Sequence, residues 1–105
     1  MNILIITFRL EGMTPSGYRE LADQIAPAFA QVPGLTSKVW LADDEAGRYG
    51  GVYLFDSPQS VQAYLDSDLL AQAAATPGLT GFESTTYDVL AAPTAVTGGP
   101  SLAVA

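Results

Sequence analysis

Two segments of this chain are apolar on both of their faces, and they restrict the fold more than any other feature. Residues 2–10 read NILIITFRL, a continuous β-branched and apolar run that is typical of a strand buried on both sides. Arg48 to Phe55 (RYGGVYLF) indicates a second strand of this kind. A sheet that contains such strands needs a cover on each face, because an antiparallel sheet with one wet face alternates apolar with polar residues.

Two amphipathic helices are predicted between the strands. Each begins with a hydroxyl side chain followed by proline, Thr14-Pro15 and Ser57-Pro58, which indicates an N-cap and a first helical residue. Pro27 predicts a kink or a weakened last turn in the first helix. Apolar side chains recur at steps of three and four. They are Tyr18, Leu21, Ile25, Phe29 and Val32 in the first helix and Val61, Tyr64, Leu65 and Leu69 in the second, which residues 71–75 continue weakly.

The order of the elements predicts a ferredoxin-like βαββαβ fold of the α+β class. Leu35 to Ala42 alternates and supplies the second strand, and Leu79 to Leu90 supplies the fourth. We expect one domain, residues 1–90, with a four-stranded antiparallel sheet and two helices on one face. Residues 91–105 are small, with two prolines and two glycines, which is typical of a flexible C-terminal tail. A second copy is the expected cover of the open face, which gives a homodimeric α+β barrel.

Charge and the N-terminus argue against several partners. Four basic against eleven acidic residues give a net charge of −7. Nucleic acid and anionic membranes attract clustered Lys and Arg, so neither is expected to bind. The first apolar run is too short for a membrane span, and no basic residues precede it as in a signal peptide. We therefore expect a cytoplasmic protein.

The chain contains neither Cys nor His. A thiol nucleophile, a Ser-His-Asp triad and a His-ligated haem or zinc are excluded. A general base must then be a carboxylate, a tyrosine, a lysine, water or the substrate itself. The acidic loop 43–45 offers three adjacent carboxylates that point in different directions, so we interpret it as a solvated turn rather than a metal site. No cofactor and no metal are expected.

Two of the four basic residues, Arg9 and Lys38, fall in predicted strands. A cation on a buried face needs an anionic partner. That partner is either an acid, such as Glu83, Asp88 or one from a second subunit, or a phenolate, enolate or peroxide anion formed during catalysis. Trp40, the only tryptophan, either stacks on a flat aromatic ligand or packs in the core or a dimer interface. These three are the candidate catalytic residues.

Strand alternation decides which candidates share a face of the sheet. It puts Thr7 with Arg9, and Lys38 with Trp40. Because both pairs carry polar groups, we expect them on the open face, opposite the helices. The paired glycines 50–51 are expected to make room for a neighbouring side chain or ligand. The candidate substrate contacts are Thr7, Phe55 and two tyrosines that either donate to a substrate carbonyl or are satisfied in the core, Tyr53 and Tyr87.

Several of these motifs resemble those of the YdhR-type mono-oxygenases. They are Pro33-Gly34-Leu35, Lys38-Val39-Trp40 and Gly50 to Phe55, with Ala63-Tyr64-Leu65 and Asp88-Val89 in support. The resemblance covers about residues 2 to 90 and does not include the tail. It implies a dimeric α+β barrel with a cavity between sheet and helices, and chemistry like that of cofactor-free oxygenases of aromatic polyketide biosynthesis. Some relatives have His where this chain has Thr7, so no imidazole role is carried over.

The leading functional hypothesis is a cofactor-independent mono-oxygenase that acts on an electron-rich aromatic or polycyclic phenol. The substrate would lie flat against Trp40, and a weak base or solvent would remove a proton. Arg9 or Lys38 would stabilise the resulting anion, which would reduce O₂ directly. The alternatives are an isomerase or cyclase that uses the same cavity for proton transfer, and a non-catalytic small-molecule binding protein. The absence of His favours these alternatives slightly.

Overall fold

The computed structural model describes residues 1–99. Its elements are β1 (Asn2–Leu10), α1 (Pro15–Phe29), β2 (Leu35–Asp43), β3 (Arg48–Phe55), α2 (Pro58–Leu65), α3 (Asp68–Ala74), β4 (Leu79–Asp88) and α4 (Ala91–Val96). The end of the expected tail, residues 100–105, lies outside the described residues. Within residues 1–99, no helix combines the length and the apolar character that a membrane crossing requires.

The four strands form one antiparallel sheet in the order β2-β3-β1-β4. This is the predicted ferredoxin-like α+β fold. β1 and β3 are the two inner strands, and they pair from Asn2 opposite Phe55 to Arg9 opposite Arg48. Their inner position accounts for the two segments that are apolar on both faces, because an inner strand is the part of a sheet that is most completely covered on each side.

α1 and α2 begin at the two capping residues that the sequence predicts. The hydroxyl of Thr14 accepts a hydrogen bond from the N–H of Gly17 at 3.0 Å, and Ser57 caps α2 in the same way. Each cap is followed by proline in the first turn, where the missing N–H has no intrahelical partner to lose. Pro27 lies inside α1, which continues past it and ends at Phe29, before the last residue of the predicted apolar stripe, Val32.

The segment predicted as one second helix is in fact two helices. α2 ends at Leu65, and α3 begins after Ser67, whose hydroxyl accepts a hydrogen bond from the N–H of Leu70 at 3.2 Å. Ser67 followed by Asp68 is itself a capping signal with an acid in the first turn. This local signal outweighs the weak apolar stripe, so the prediction of a single helix through residue 75 is wrong.

The main core lies between the sheet and the helices α1 and α2. Alternate residues of the two inner strands point into it and are at most 9% exposed. Seven of the ten residues in this buried cluster are aromatic, so the core offers ring faces and hydroxyl groups as well as apolar area. The ten are Leu4, Ile6, Phe8, Tyr18, Phe29, Tyr49, Tyr53, Phe55, Val61 and Tyr64.

The opposite face of the sheet is only partly covered within one chain. α4 begins in the segment expected to be a tail, and it borders a groove of about 470 Å³ together with Ile3, Val52 and Leu54. Part of the segment expected to be a flexible tail is thus a helix that contributes to the cover of this face. Val39 and Tyr87, on the two edge strands, remain 58% and 57% exposed, so α4 leaves apolar area uncovered.

Candidate active site

Lys38 and Trp40 lie on the helix side of the sheet. The Nζ atom of Lys38 lies 3.4 Å from the ring centroid of Trp40 and 3.7 Å from that of Phe29, which belongs to α1. The prediction that this pair lies on the open face is wrong. It assumed that a charged residue avoids the core, whereas ring faces attract an ammonium group and accommodate it there.

A glycine of β3 makes the room that Lys38 occupies. A Cβ added at Gly51 would lie 2.9 Å from Cε of Lys38 and 3.2 Å from Cε1 of Tyr53. The absent side chain lets Lys38 extend across its neighbouring strand until Nζ lies 4.5 Å from the ring centroid of Tyr53. A Cβ at Gly50 would instead overlap the backbone carbonyl oxygen of Ile6. Both glycines therefore allow a close approach, as predicted.

The environment of Lys38 brings its ionisation close to neutral pH. Burial lowers the pKa of its ammonium from 10.5 to about 7, because removal from water disfavours the charged form. The three rings favour the ammonium and so oppose this shift. Within residues 1–99, Arg19 and Asp44 form the one ion pair, so no carboxylate there fixes the charge of Lys38. The expected salt bridges of Arg9 and Lys38 with Glu83 or Asp88 are absent from this part of the chain.

Two buried tyrosines line the same cavity as the amine. The hydroxyl of Tyr64 on α2 donates a hydrogen bond to the hydroxyl of Tyr53 on β3 at 2.9 Å, and both residues are at most 4% exposed. Burial raises the pKa of Tyr64 and of Tyr18 on α1 to about 12, and it raises the pKa of Tyr53 as well. All three therefore remain neutral phenols, which suit hydrogen-bond donation rather than proton abstraction.

The space enclosed by these side chains is a cavity of about 30 Å³, which we call the helix-side cavity. That is room for about one water molecule, whereas ligand pockets hold about 300–1,000 Å³. Binding a ring system therefore requires it to open. A groove of about 140 Å³ shares Leu70 and Phe82 with the cavity, and a groove of about 330 Å³ shares Tyr64. The cavity wall comprises Ile6, Phe8, Tyr18, Leu21, Ile25, Phe29, Lys38, Trp40, Gly50, Tyr53, Tyr64, Leu70, Ala73, Leu79 and Phe82.

Phe55 lies in the core behind the cavity wall. It is fully buried, and its ring stacks on that of Tyr53 with the centroids 6.1 Å apart. It is not among the residues that line the helix-side cavity. The structure thus places it where it positions Tyr53.

The remaining candidates lie on the open face. Thr7 and Arg9 border a pocket of about 350 Å³ with Glu83. Arg9 is exposed, and its guanidinium donates to the carbonyl oxygen of Ala46 at 3.4 Å. Tyr87 pairs with Ile3 at the edge of the sheet, away from this pocket. Arg9 and Trp40 are therefore on opposite faces of the sheet and cannot contact the same small molecule within one chain.

The sequence did not predict two functional residues of the cavity. Both belong to the apolar stripes of the helices, and residues at that spacing are expected to be ordinary core. Phe29 supplies a ring to Lys38, and Tyr64 supplies the partner of Tyr53. A usable signal existed for Tyr64, because a tyrosine inside an apolar helix stripe must find a partner for its hydroxyl. Phe29 carries no such signal, since phenylalanine at that spacing is ordinary core.

The acidic loop forms internal hydrogen bonds. The carboxylate of Asp44 accepts from Tyr49 at 2.8 Å and from Arg19 at 3.0 Å, and these contacts lower its pKa. Asp43 accepts from the N–H of Ala46 at 3.1 Å, as in a tight turn. Over the part of the chain that the structure describes, no group of three acidic, His or Cys side chains is arranged to hold a metal ion.

The chain matches the family model described as "Putative mono-oxygenase ydhR" over residues 3–100. It belongs to this family. The match continues past Ala91, so the expectation that the resemblance ends with β4 is wrong, and α4 lies within the family region. No curated protein matches the chain.

Three solved structures share the fold of this ydhR-family member. A putative antibiotic biosynthesis monooxygenase from Deinococcus radiodurans is 20% identical with a TM-score of 0.69, over 85% of this chain and 92% of that one. A mutant of SnoaB, a cofactor-independent oxygenase from Streptomyces nogalater, is 18% identical with a TM-score of 0.67, over 85% and 92%. The heme-degrader MhuD from Mycobacterium tuberculosis, with two hemes bound, is 21% identical with a TM-score of 0.61, over 86% and 96%. At these identities the likeness establishes the fold alone.

Proposed function

We propose that this protein is a cofactor-independent mono-oxygenase that acts on an electron-rich aromatic or polycyclic phenol with O₂ as co-substrate. Membership of the ydhR family supports the reaction class, and the fold shared with SnoaB supports oxygenation without a cofactor. The observation that carries the proposal is the Lys38 amine held over Trp40 in the helix-side cavity. It combines a flat apolar surface with one group able to bear positive charge.

Substrate binding replaces the contact between Lys38 and Trp40. The Nζ atom covers the ring face of Trp40 that a flat ligand would use, so the ligand must displace it. The displaced amine then lies at the edge of the ligand, where a phenolate or enolate develops. The hydroxyl pair of Tyr53 and Tyr64 supplies hydrogen bonding to a ligand oxygen on the same side of the sheet.

The chemistry needs no external reductant. A methylene carbon next to the phenolic rings loses a proton to give a delocalised anion, and this anion transfers electrons to O₂. Overall, that carbon loses two hydrogens and gains one oxygen atom as a carbonyl, and the other oxygen leaves as water with the two hydrogens. The ammonium of Lys38 stabilises the anion electrostatically in a site that excludes water. Arg9 has no part in this step, because it lies on the other face of the sheet.

Oxygen uptake by metal-stripped, flavin-free protein tests the proposal. A panel of anthrones, naphthols and hydroquinones is offered, and uptake is compared with autoxidation in buffer. We expect uptake with at least one member, lost in Trp40→Phe and Lys38→Met and kept in Arg48→Met, which removes a cation from the open face. Absence of uptake across the panel, with the protein folded, would contradict the proposal.

A proton-transfer enzyme is the second candidate. The neutral phenols of Tyr53 and Tyr64 and the Lys38 amine form a donor and acceptor set that suffices for isomerisation or cyclisation. Turnover that proceeds unchanged without O₂ favours this reading. Saturable binding with no turnover under either atmosphere favours a binding protein.

Haem, which is bound in the MhuD structure, is not part of the proposal. The chain has no His or Cys, and the side chains that line the helix-side cavity offer only phenol oxygens and one amine. These residues do not fit the group.

We also propose that the protein is a cytoplasmic homodimer. The open face keeps Val39 and Tyr87 more than half exposed and carries the groove of about 470 Å³ beside α4. Packing the same face of a second chain against it would bury these residues and close the groove, as an isologous contact does.

A further inference from the structure

We propose that the amine of Lys38 is the general base of the reaction, which takes the proton from the substrate and then stays beside the anion as an ammonium. This inference rests on the proposed function and names the group that the mechanism above leaves unassigned. Lys38 is the only lysine in the chain, and it is the one basic side chain that lines the helix-side cavity.

The geometry leaves the nitrogen available. The Nζ atom lies 3.4, 3.7 and 4.5 Å from the ring centroids of Trp40, Phe29 and Tyr53. Across residues 1–99, no carboxylate lies within ion-pair distance of it. An amine held this way is not committed to the charged form, and a ligand that displaces it from Trp40 meets the nitrogen directly.

The other groups that face the amine are suited to a different role. α1, β3 and α2 contribute the phenols of Tyr18, Tyr53 and Tyr64, whose raised pKa values keep them protonated. The other side chains that α1, and those that β1, α3 and β4, contribute to the cavity wall are apolar. Lys38 is thus the one side chain lining the cavity that can accept a proton near neutral pH. Burial lowers its pKa to about 7, which puts its neutral form within reach.

The step balances within the substrate and the amine. The C–H bond of the substrate methylene breaks, its electron pair stays on the ring system, and the proton forms a new N–H bond at Nζ. The anion then gives its electrons to O₂ and a C–O bond forms, which leaves a peroxide on the carbon, and the ammonium returns its proton to the outer peroxide oxygen and becomes the neutral amine again. The second C–H bond breaks as the O–O bond cleaves, which forms the carbonyl, and the released hydroxide takes this second proton and leaves as water.

Hydrogen exchange without O₂ separates this inference from the proposed function. Anthrone is incubated anaerobically with the enzyme in D₂O, and incorporation of deuterium at its methylene carbon is followed above the rate in buffer. A base at Lys38 predicts an exchange rate that rises as pH increases through about 7, because the neutral amine becomes populated. A Lys38 that acts only as a cation, with water as the base, predicts a rate that falls over the same pH range, and that result would overturn the inference.

Two substitutions give the matched comparison. Lys38→Arg keeps the positive charge but accepts no proton at neutral pH, and Lys38→Met removes both properties. We expect both to lose about 10²-fold or more of the exchange rate, with Arg48→Met as the unaffected control. Exchange in Lys38→Arg at the wild-type rate would overturn the inference. If either variant fails to fold by circular dichroism, the pH slope of the wild type decides.

Failure of this inference and failure of the proposed function have different signatures. Oxygen uptake that persists while exchange is independent of Lys38 overturns the inference and leaves the oxygenase. Exchange that depends on Lys38 without any oxygen uptake overturns the oxygenase, and it supports Lys38 as the base of a proton-transfer enzyme.

Discussion

Among the single residues of the site, Lys38 stands out because aromatic ring faces, rather than a counter-ion, surround its amine. This makes its charge sensitive to pH and to any ligand that replaces the rings. The same side chain can therefore be neutral before a proton is transferred and charged afterwards. An ion pair with a buried carboxylate would have held it permanently in the ammonium form.

The titration of Lys38 predicts how stability depends on pH. The folded chain releases this proton near pH 7, whereas the unfolded chain keeps it up to its ordinary value of 10.5. The free energy of unfolding should therefore rise between these limits. Above about pH 10 the trend reverses, because Tyr18 and Tyr64 keep their protons to about 12 only when folded.

Urea unfolding across this pH range checks the prediction, with Lys38→Met as the reference. The difference in unfolding free energy between wild type and variant should shift in favour of the wild type as pH rises from about 7 toward 10. A difference that does not change with pH would mean that Lys38 keeps an ordinary pKa in the folded protein.

The two adjacent glycines predict unequal effects of the same substitution. Gly50→Ala places a Cβ on the backbone carbonyl of Ile6, which cannot move freely, so we expect a loss of about 2–4 kcal/mol of unfolding free energy. Gly51→Ala meets two side chains instead of the backbone, Lys38 at 2.9 Å and Tyr53 at 3.2 Å, and should cost less, about 1 kcal/mol. Urea titrations of both variants measure this, and equal losses would show that the side chains of Lys38 and Tyr53 do not yield.

At the scale of the element, the sequence predicts the strand and helix order but misplaces one strand face and one helix boundary. The capping signals at Thr14 and Ser57 succeed because they are local. The prediction of which face of β2 points to the helices is wrong because neither face of this edge strand is clearly more apolar than the other. Lys38 was therefore assigned to the open face by its charge alone. Only the aromatic residues brought in by α1 and β3 show that the charge is tolerated inside.

The split between α2 and α3 gives the helix-side cavity a wall that is easy to move. α3 is short and contains no buried residue, and its Leu70 separates the cavity from the groove of about 140 Å³. Leu70→Ala should join the two spaces and bind anthraquinone, a flat product analogue, about fivefold more tightly, which is roughly 1 kcal/mol. Leu69→Ala is the matched control, because Leu69 borders the outer groove instead. Calorimetric binding checks both, and identical affinities would show that α3 does not limit entry.

At the scale of the whole molecule, the sequence identifies the candidates but not their grouping. It names Thr7, Arg9, Lys38, Trp40 and Tyr53, and the structure divides them between two faces of one sheet. Alternation along each strand can be worked out from sequence, but the register between strands and the packing of helices cannot. The division assigns the open-face residues Thr7 and Arg9 to the surface that we propose a second chain covers.

The homodimer predicts that one charge on the open face disrupts assembly. Val39→Glu puts a carboxylate at an apolar position of that face that is 58% exposed in a single chain. Light scattering should give twice the chain mass for the wild type and for Gln72→Glu, which adds the same charge to exposed α3, and a single chain mass for Val39→Glu. A monomeric wild type would contradict the dimer.

The place where a flat aromatic ligand binds tests the proposed site in the helix-side cavity most directly. The chain has one tryptophan, so its ¹⁵N-labelled form gives one indole N–H signal, which reports on the helix-side cavity. Anthraquinone is titrated into the labelled protein while this signal and the amides of Thr7 and Thr85 are followed. We expect the Trp40 indole signal to shift most and to saturate with binding. Saturable shifts at Thr7 and Thr85 with an unmoved Trp40 indole would place the ligand on the open face and contradict the proposed site.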